Sequence, residues 1–185
     1  MTHSASHPAS HQVAMISSIA MVLALSFGIQ TGAANAQTPA NSQAAAIRAV
    51  RSFYTFHLAH NKDFTLRNVQ QRKRFLTPEL YGLLVGEIKR QGAYSKAHPD
   101  EAPDFEGDPL TDSQEYPDGF RVGKADGSRD AVKVTVTLLW SARTSRGRDK
   151  RDIVVEMTRS GQAWLINDVF SKDGTSLRAD LKKPH

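Results

Sequence analysis

The 185-residue chain contains no cysteine. That absence excludes thiolate catalysis, cysteine-ligated zinc and disulfide exchange. It also means that no disulfide stabilises the fold, so a packed core has to do so. Three short motifs of enzyme chemistry are missing as well: a glycine-rich phosphate loop, a Gly-x-Ser-x-Gly elbow and a His-Glu-x-x-His metal motif. The sequence therefore identifies no reaction.

Charged residues are missing from the start of the chain, where no Lys, Arg, Asp or Glu precedes Arg48. Residues 13–29 are predominantly apolar, and the segment ends in the small-residue triplet Ala34-Asn35-Ala36. This pattern is typical of a secretory signal peptide; an uncleaved anchor is the alternative, although serines interrupt the run. With no cysteine near the cleavage site, lipid attachment there is excluded. We predict a periplasmic protein that consists of a signal peptide over 1–36, a linker over 37–43 and a single domain over 44–183.

The chain carries 24 basic and 19 acidic residues, a formal net charge of +5. A basic domain suits an anionic surface or an acidic envelope protein, with membrane contact peripheral at most, although solubility alone also explains the charge. Nucleic acid is excluded as a partner by the predicted export. The densest basic run is predicted as a ligand or partner surface, with a solvated hairpin tip as the alternative; it comprises Arg143, Arg146, Arg148, Lys150 and Arg151.

Helical periodicity dominates the first half of the predicted domain. A first helix is expected from a cap at Asn41 or Ser42 to about residue 61, with an inward face of Ile47, Val50, Tyr54 and Leu58. His57 and His60 have a spacing that suits a metal, but we interpret them as a partly exposed pair at the helix end. A second helical stretch covers residues 64–75. A third helix begins at Thr77-Pro78 and is expected to stop at Gly92.

Alternation with a period of two replaces this pattern after residue 119. Val132, Val134, Val136 and Leu138 share one face of a strand, which predicts a sheet with one buried face. About four antiparallel strands follow the helices, so the predicted fold class is α+β, with N-terminal helices packed on a curved sheet. By fold-level analogy this is the cone-shaped, nuclear-transport-factor-2-like or cystatin-like arrangement.

A cone of this kind offers a pocket, and four side chains are candidates for its lining: Tyr54, His57, Trp164 and Asp168. In that case the protein is a small-pocket enzyme of the ketosteroid-isomerase-like kind, which needs a carboxylate with a raised pKa. The alternatives are a helix-capping role for Asp168 and a core role for Trp164.

Five carboxylates of an acidic segment occupy oxygen-ligand positions of an EF-hand-type calcium loop: Asp104, Glu106, Asp108, Asp112 and Glu115. Pro109 stands where that loop requires glycine, and Glu106 where it prefers Asp or Asn. A solvated acidic turn is the alternative to a cation-stabilised envelope protein. We predict no cofactor.

Three stretches resemble an exported bacterial family, number 3828 among the domains of unknown function. They are DFEGDPLTDSQEYPDGFRVG, with its Asp-Pro-x-Thr-x-x-Gln pattern at residues 108–114, then WLINDVF and GTSLRADL. The resemblance covers about residues 44–181 and implies an envelope protein with a cone-shaped α+β domain and no established catalytic residues. We therefore expect a non-catalytic binding or interaction domain.

Overall fold

The computed structural model describes residues 38–101, 107–141 and 149–183. Its helices are α1 (Pro39–Ala59), α2 (Leu66–Arg72), α3 (Pro78–Ala97) and α4 (Leu177–Asp180), with a 3-10 turn at Lys73–Phe75 directly after α2. Its strands are β1 (Gly119–Gly127), β2 (Ala131–Trp140), β3 (Asp149–Ser160) and β4 (Ala163–Phe170). They form one antiparallel sheet in the order β1-β2-β3-β4. The predicted α+β class, with about four antiparallel strands after the helices, is confirmed.

Helices α1 and α3 begin in the same way, with a threonine cap followed by proline. The hydroxyl of Thr38 accepts a hydrogen bond from the amide of Asn41, and that of Thr77 accepts one from Leu80. Proline suits the first helical position because its missing N–H would have no partner there. The expected start of α1 at Asn41 or Ser42 is therefore wrong by about one turn. Residues 39–43, which we assigned to a linker, are helical.

Helix α3 runs past Gly92, where we expected it to stop, and ends at Ala97. A glycine inside a helix costs about 1 kcal/mol relative to alanine, which local contacts can outweigh. The helix is closed instead at His98, whose amide donates to the carbonyl of Tyr94. The two rings stack with centroids 4.5 Å apart. Helix α3 therefore ends at a stacked pair of rings and not at a glycine.

The core lies between the sheet and the helices. In β2, Val132, Val134, Val136 and Leu138 are fully buried, as their alternation predicted. Their β3 partners Met157, Val155 and Ile153 are buried on the same side. Helix α1 contacts β1, β2 and β4, and its residues Ala46, Val50, Phe53 and Tyr54 complete the core. Side chains therefore fill the space between α1 and the sheet.

The link between the 3-10 turn and α3 lies along the outer edge of β4. Leu76 forms a parallel bridge with Ile166, and the amide of Thr77 donates to the carbonyl of Ile166 at 2.9 Å. This hydrogen bond gives a partner to one backbone carbonyl on the free edge of β4. It also places the basic residues Lys73 and Arg74, which precede Leu76, next to that strand. In the part of the chain that the structure describes, no helix is both long and apolar enough to cross a membrane.

Candidate functional site

A buried chain of hydrogen bonds joins α1, α2 and the turn after residue 107. Arg72 donates from Nε to Nδ1 of His57 at 2.6 Å, and Nε2 of His57 lies 2.6 Å from Oδ2 of Asp108. The three side chains are 2%, 1% and 2% exposed. The remaining guanidinium nitrogens donate to backbone carbonyls at the ends of α1 and α2, including those of Asn61 and Asn68 at 2.8 Å each. Arg72 thus has partners on every nitrogen.

The partners of His57 determine its tautomer. A guanidinium nitrogen only donates, so Nδ1 of His57 has to accept and carries no proton. The proton of the neutral ring is therefore on Nε2, which donates to Asp108. Both ring nitrogens are occupied, and a general base needs one nitrogen free to face its substrate. Our interpretation of His57 as partly exposed is wrong, because His57 lies on the buried face of α1 while His60 remains exposed and contacts the carbonyl of Phe56.

Asp108 organises the turn that contains it. Its carboxylate accepts hydrogen bonds from the hydroxyl of Thr111 at 2.8 Å and from the amide of Leu110 at 3.0 Å. The hydroxyl of Tyr54 donates to the carbonyl of Leu110 at 2.8 Å. Burial, with a smaller contribution from the Asp108 charge, raises the pKa of Tyr54 well above its usual value. The turn is therefore bound to α1 by two neighbouring side chains, and Tyr54 acts there as a neutral donor.

The rest of the acidic segment is also anchored to its neighbours. Tyr116 donates to the carboxylate of Asp63 at 2.8 Å, and the indole nitrogen of Trp140 donates to the carbonyl of Glu115 at 2.8 Å. Asp104 and Glu106 lie outside the described residues. Among the residues that are described, no group of three histidines or carboxylates is arranged to hold a metal ion. The carboxylate of Asp108 already has three hydrogen-bond partners, and the described part of the segment is held against α1, the loop that follows α1, and β2.

The cavity beside His57 is too small for an organic substrate. Its volume is about 10 Å³, and Arg72, Asp108 and Leu110 are among the residues that line it. A volume of that order holds about one water molecule.

Trp164 and Asp168, the other two predicted pocket residues, have separate surroundings. Asp168 accepts from the hydroxyl of Ser176 at 2.5 Å and from the amide of Arg178 at 3.0 Å, so it helps to cap α4. Trp164 is 8% exposed and belongs to the core. Tyr54 and His57, by contrast, are neighbours, with ring centroids 6.2 Å apart. The described hydrogen bonds of Asp168 do not connect it to that pair.

The predicted basic surface is described only in part. Arg143, Arg146 and Arg148 lie outside the described residues, whereas Lys150 and Arg151 are exposed at the start of β3. The guanidinium of Arg151 donates to the backbone carbonyl of Asp112 and lies 3.7 Å from its carboxylate. It also lies 5.8 Å from the centroid of the Trp140 ring. Arg151 thus helps to hold the acidic segment in place, a role that its basic run did not reveal.

A second basic surface borders an open groove of about 680 Å³ between the α2 region, α3 and β4. We call it the η–β4 groove, after the 3-10 turn Lys73–Phe75 (η) and strand β4. One wall, from α2 and the 3-10 turn, is polar, and the other, from the α2–α3 link, α3 and β4, is largely apolar. The first consists of Gln70, Gln71, Lys73 and Arg74, and the second of Leu76, Pro78, Tyr81 and Leu165.

The two cations of the groove rest on aromatic rings. Lys73 Nζ lies 5.2 Å from the centroid of the Tyr81 ring, and the guanidinium of Arg74 lies 4.8 Å and 4.7 Å from those of Phe56 and Phe75. Within the described ranges, neither cation forms an ion pair with a carboxylate. Both are exposed. In the sequence, the signal for this surface was the basic run Arg72-Lys73-Arg74 within the predicted second helical stretch.

Comparison with family models, with curated proteins and with solved structures found no match for this chain.

Proposed function

We propose that this protein is an exported, non-catalytic binding domain that recognises an anionic partner in the η–β4 groove. The observation that carries the proposal is the pair Lys73 and Arg74, two exposed cations without a carboxylate partner among the described residues. They border a concavity of about 680 Å³, within the range of about 300–1,000 Å³ typical of ligand sites. Concave sites lined by charges of one sign attract the opposite charge.

The buried polar chain supports a binding role over a catalytic one. His57 and Asp108 form the kind of pair that catalysis uses, but both imidazole nitrogens are bonded within the protein. The adjoining cavity accommodates about one water molecule. A ketosteroid-isomerase-like reaction would need a carboxylate that reaches a substrate-sized pocket. Asp108 does not, and Asp168 is engaged with Ser176 and Arg178.

Export to the periplasm is part of the proposal. It rests on the apolar run over residues 13–29 and on the triplet Ala34-Asn35-Ala36 before Gln37. The cone-shaped, nuclear-transport-factor-2-like arrangement and the kinship with family 3828 belong to it as well. The four-stranded antiparallel sheet, with helices packed on one face, supports the arrangement. The proposed kinship rests on the three sequence stretches alone.

Export is tested by fractionating cells that express the full chain and by sequencing the N-terminus of the periplasmic product. We expect the product to begin at Gln37, and replacing Ala34 and Ala36 with leucine should leave the precursor uncleaved. A chain that stays in the cytoplasm at full length would refute the localisation.

Partner recognition is tested by incubating the purified protein with envelope extract and analysing bound species by crosslinking and native mass spectrometry. We expect Lys73→Glu/Arg74→Glu to lose the species that the unsubstituted protein binds. Arg48→Glu/Arg51→Glu is the matched control, since it reverses two exposed cations on α1 outside the groove. Equal binding by both variants, or no bound species at all, would refute the groove as the recognition site.

A further inference from the structure

We infer that the ligand of the η–β4 groove is a single-chain anionic amphiphile, a molecule with a phosphate or carboxylate head and an apolar tail. This inference rests on the proposed function and specifies the chemistry of its ligand. It follows from how the groove is divided, since the charged and amide side chains among its described lining residues all lie on one wall.

The polar wall fits an anionic head. Gln70 and Gln71 carry side-chain amides that donate hydrogen bonds, and Lys73 and Arg74 add cationic donors. All four are exposed, so a ligand oxygen can reach them from solvent. Hydrogen bonds between charged donors and phosphate or carboxylate oxygens are about twice as strong as neutral ones. Among the residues that the structure describes, no carboxylate lines the groove to compete for the two cations.

The apolar wall fits a tail. Leu165 provides aliphatic surface from β4, and Pro78 and Tyr81 extend it along the first turns of α3. Leu76 of the α2–α3 link also lines the groove, although only 3% of it is exposed. Burying apolar surface contributes about 25 cal/mol per Å². An inorganic anion would use only the polar wall and leave this surface in water.

The polar wall meets the apolar wall at Lys73. Its ammonium group lies 5.2 Å from the centroid of the Tyr81 ring, so the boundary between charge and apolar surface passes between these two side chains. A ligand whose head contacts Lys73 therefore has the Tyr81 side chain beside it. The groove is a concavity of about 680 Å³, a volume that suits a small molecule better than the flat surface of a bilayer.

The test is titration calorimetry of the purified protein with dodecyl phosphate below its critical micelle concentration. Inorganic phosphate serves as the head alone, and dodecyl maltoside as a tail with a neutral head. We expect saturable 1:1 binding of dodecyl phosphate that is at least about tenfold tighter than binding of either comparator. Backbone amide shifts in the nuclear magnetic resonance spectrum should change over residues 70–81 and at Leu165.

Variants separate the contributions of the two walls. Lys73→Ala/Arg74→Ala and Leu165→Gln should each weaken dodecyl phosphate binding by about tenfold, whereas Arg48→Ala/Arg51→Ala should leave it unchanged. Circular dichroism and melting temperatures establish that each variant is folded. A variant that unfolds is replaced by Gln70→Ala/Gln71→Ala, which removes exposed side chains of the polar wall.

Three outcomes would overturn the inference: no binding of dodecyl phosphate, equal binding of inorganic phosphate, or binding only to vesicles of phosphatidylglycerol. Each of these can occur while envelope species still bind through Lys73 and Arg74. A failed inference about the amphiphile is therefore distinguishable from failure of the groove as a recognition site.

Discussion

Arg72 donates a hydrogen bond from Nε to Nδ1 of His57, with 2.6 Å between the two nitrogens. Because the donor is a guanidinium, the imidazole has to accept at Nδ1 and keep its proton on Nε2. A second proton on the ring would place two donors against each other at this distance. The bond thus makes His57 a neutral connector between a buried cation and a buried carboxylate.

The first prediction concerns this tautomer. Long-range proton–nitrogen correlation spectra should show one imidazole with a protonated Nε2 and an unprotonated Nδ1. That signal should be absent from the His57→Gln variant, which assigns it. A protonated Nδ1 at neutral pH would contradict the hydrogen-bond assignment and reopen a catalytic role for this residue.

The second prediction concerns Asp108. In Asp108→Asn the shape of the side chain is kept, but the charge that balances the buried Arg72 is lost. Breaking a buried charged network in this way should lower the free energy of unfolding by roughly 3 kcal/mol. Urea denaturation measures the change.

Asp100→Asn is the control for Asp108→Asn, since Asp100 is an exposed acid outside the network. It should change the free energy of unfolding by less than about 0.5 kcal/mol. If Asp108→Asn were as mild as Asp100→Asn, the chain of hydrogen bonds would not stabilise the fold.

The third prediction concerns Gly127 at the end of β1. Its φ is +142°, and an added Cβ would lie 2.3 Å from the carbonyl oxygen of Ala131. Gly127→Ala should therefore move the β1–β2 connection and lower the free energy of unfolding by about 1–3 kcal/mol, or more.

Gly161→Ala separates backbone strain from steric conflict at Gly127. Gly161 also has a positive φ, of +60°, but a Cβ there meets nothing within 4 Å. Its substitution should cost only about 1–2 kcal/mol, the penalty of the left-handed conformation. If Gly127→Ala and Gly161→Ala lowered the urea midpoint equally, the close approach of the added Cβ to Ala131 would be relieved without a loss of stability.

The fourth prediction concerns helix α3. Gly82 and Gly86 are exposed inside the helix, and a Cβ at either position has open space around it. Each replacement by alanine should raise the free energy of unfolding by about 0.5–1 kcal/mol, since alanine loses less conformational entropy. Thermal melting of the single and double variants measures the gain, and a lowered melting temperature would contradict the exposed helical environment.

The fifth prediction concerns pH and the bond between Tyr116 and Asp63. Burial and this bond raise the pKa of Tyr116 to about 12, and the same bond lowers the pKa of Asp63. A raised tyrosine pKa means that the neutral phenol is the stabilising form. Its contribution is complete below the unfolded pKa of about 10 and is lost as the pH rises through 12. For Asp63 the contribution is lost as the pH falls through its lowered pKa.

The difference in stability between the unsubstituted protein and Tyr116→Phe should therefore be constant from about pH 5 to pH 9 and shrink above pH 10. Urea denaturation across this range measures the difference. Absorbance titration of the four tyrosines should lose a step near pH 12 in the variant. A difference that persists unchanged to pH 12 would rule out the bond.

Local patterns in the sequence were sufficient for most of the fold. The alternation of Val132, Val134, Val136 and Leu138 predicted the buried face of β2, because a strand places every second side chain on one side. The pair Thr77-Pro78 predicted the start of α3. The same pair at Thr38-Pro39 was present and would have placed the start of α1 correctly. Such signals act over a few residues, so they are legible without knowledge of the fold.

The candidate site could not be predicted from such local patterns. Asp108 is 51 residues from His57, and nothing near either residue indicates that they meet. The five carboxylates that have the spacing of calcium ligands include Asp108, whose side chain is hydrogen-bonded to the buried His57. Only packing shows that Asp168 caps a helix rather than lines a pocket with Tyr54.

The sequence by itself determined the α+β class, the order of helices and strands and the basic charge, because each depends on composition or on contacts between near neighbours. Only the tertiary structure determined where the side chains of Arg72, Lys73 and Arg74 lie. The first is buried as the anchor of the polar chain, and the other two face a groove next to β4. Adjacent positions leave a helix in different directions, and which direction is buried depends on the elements that pack around it.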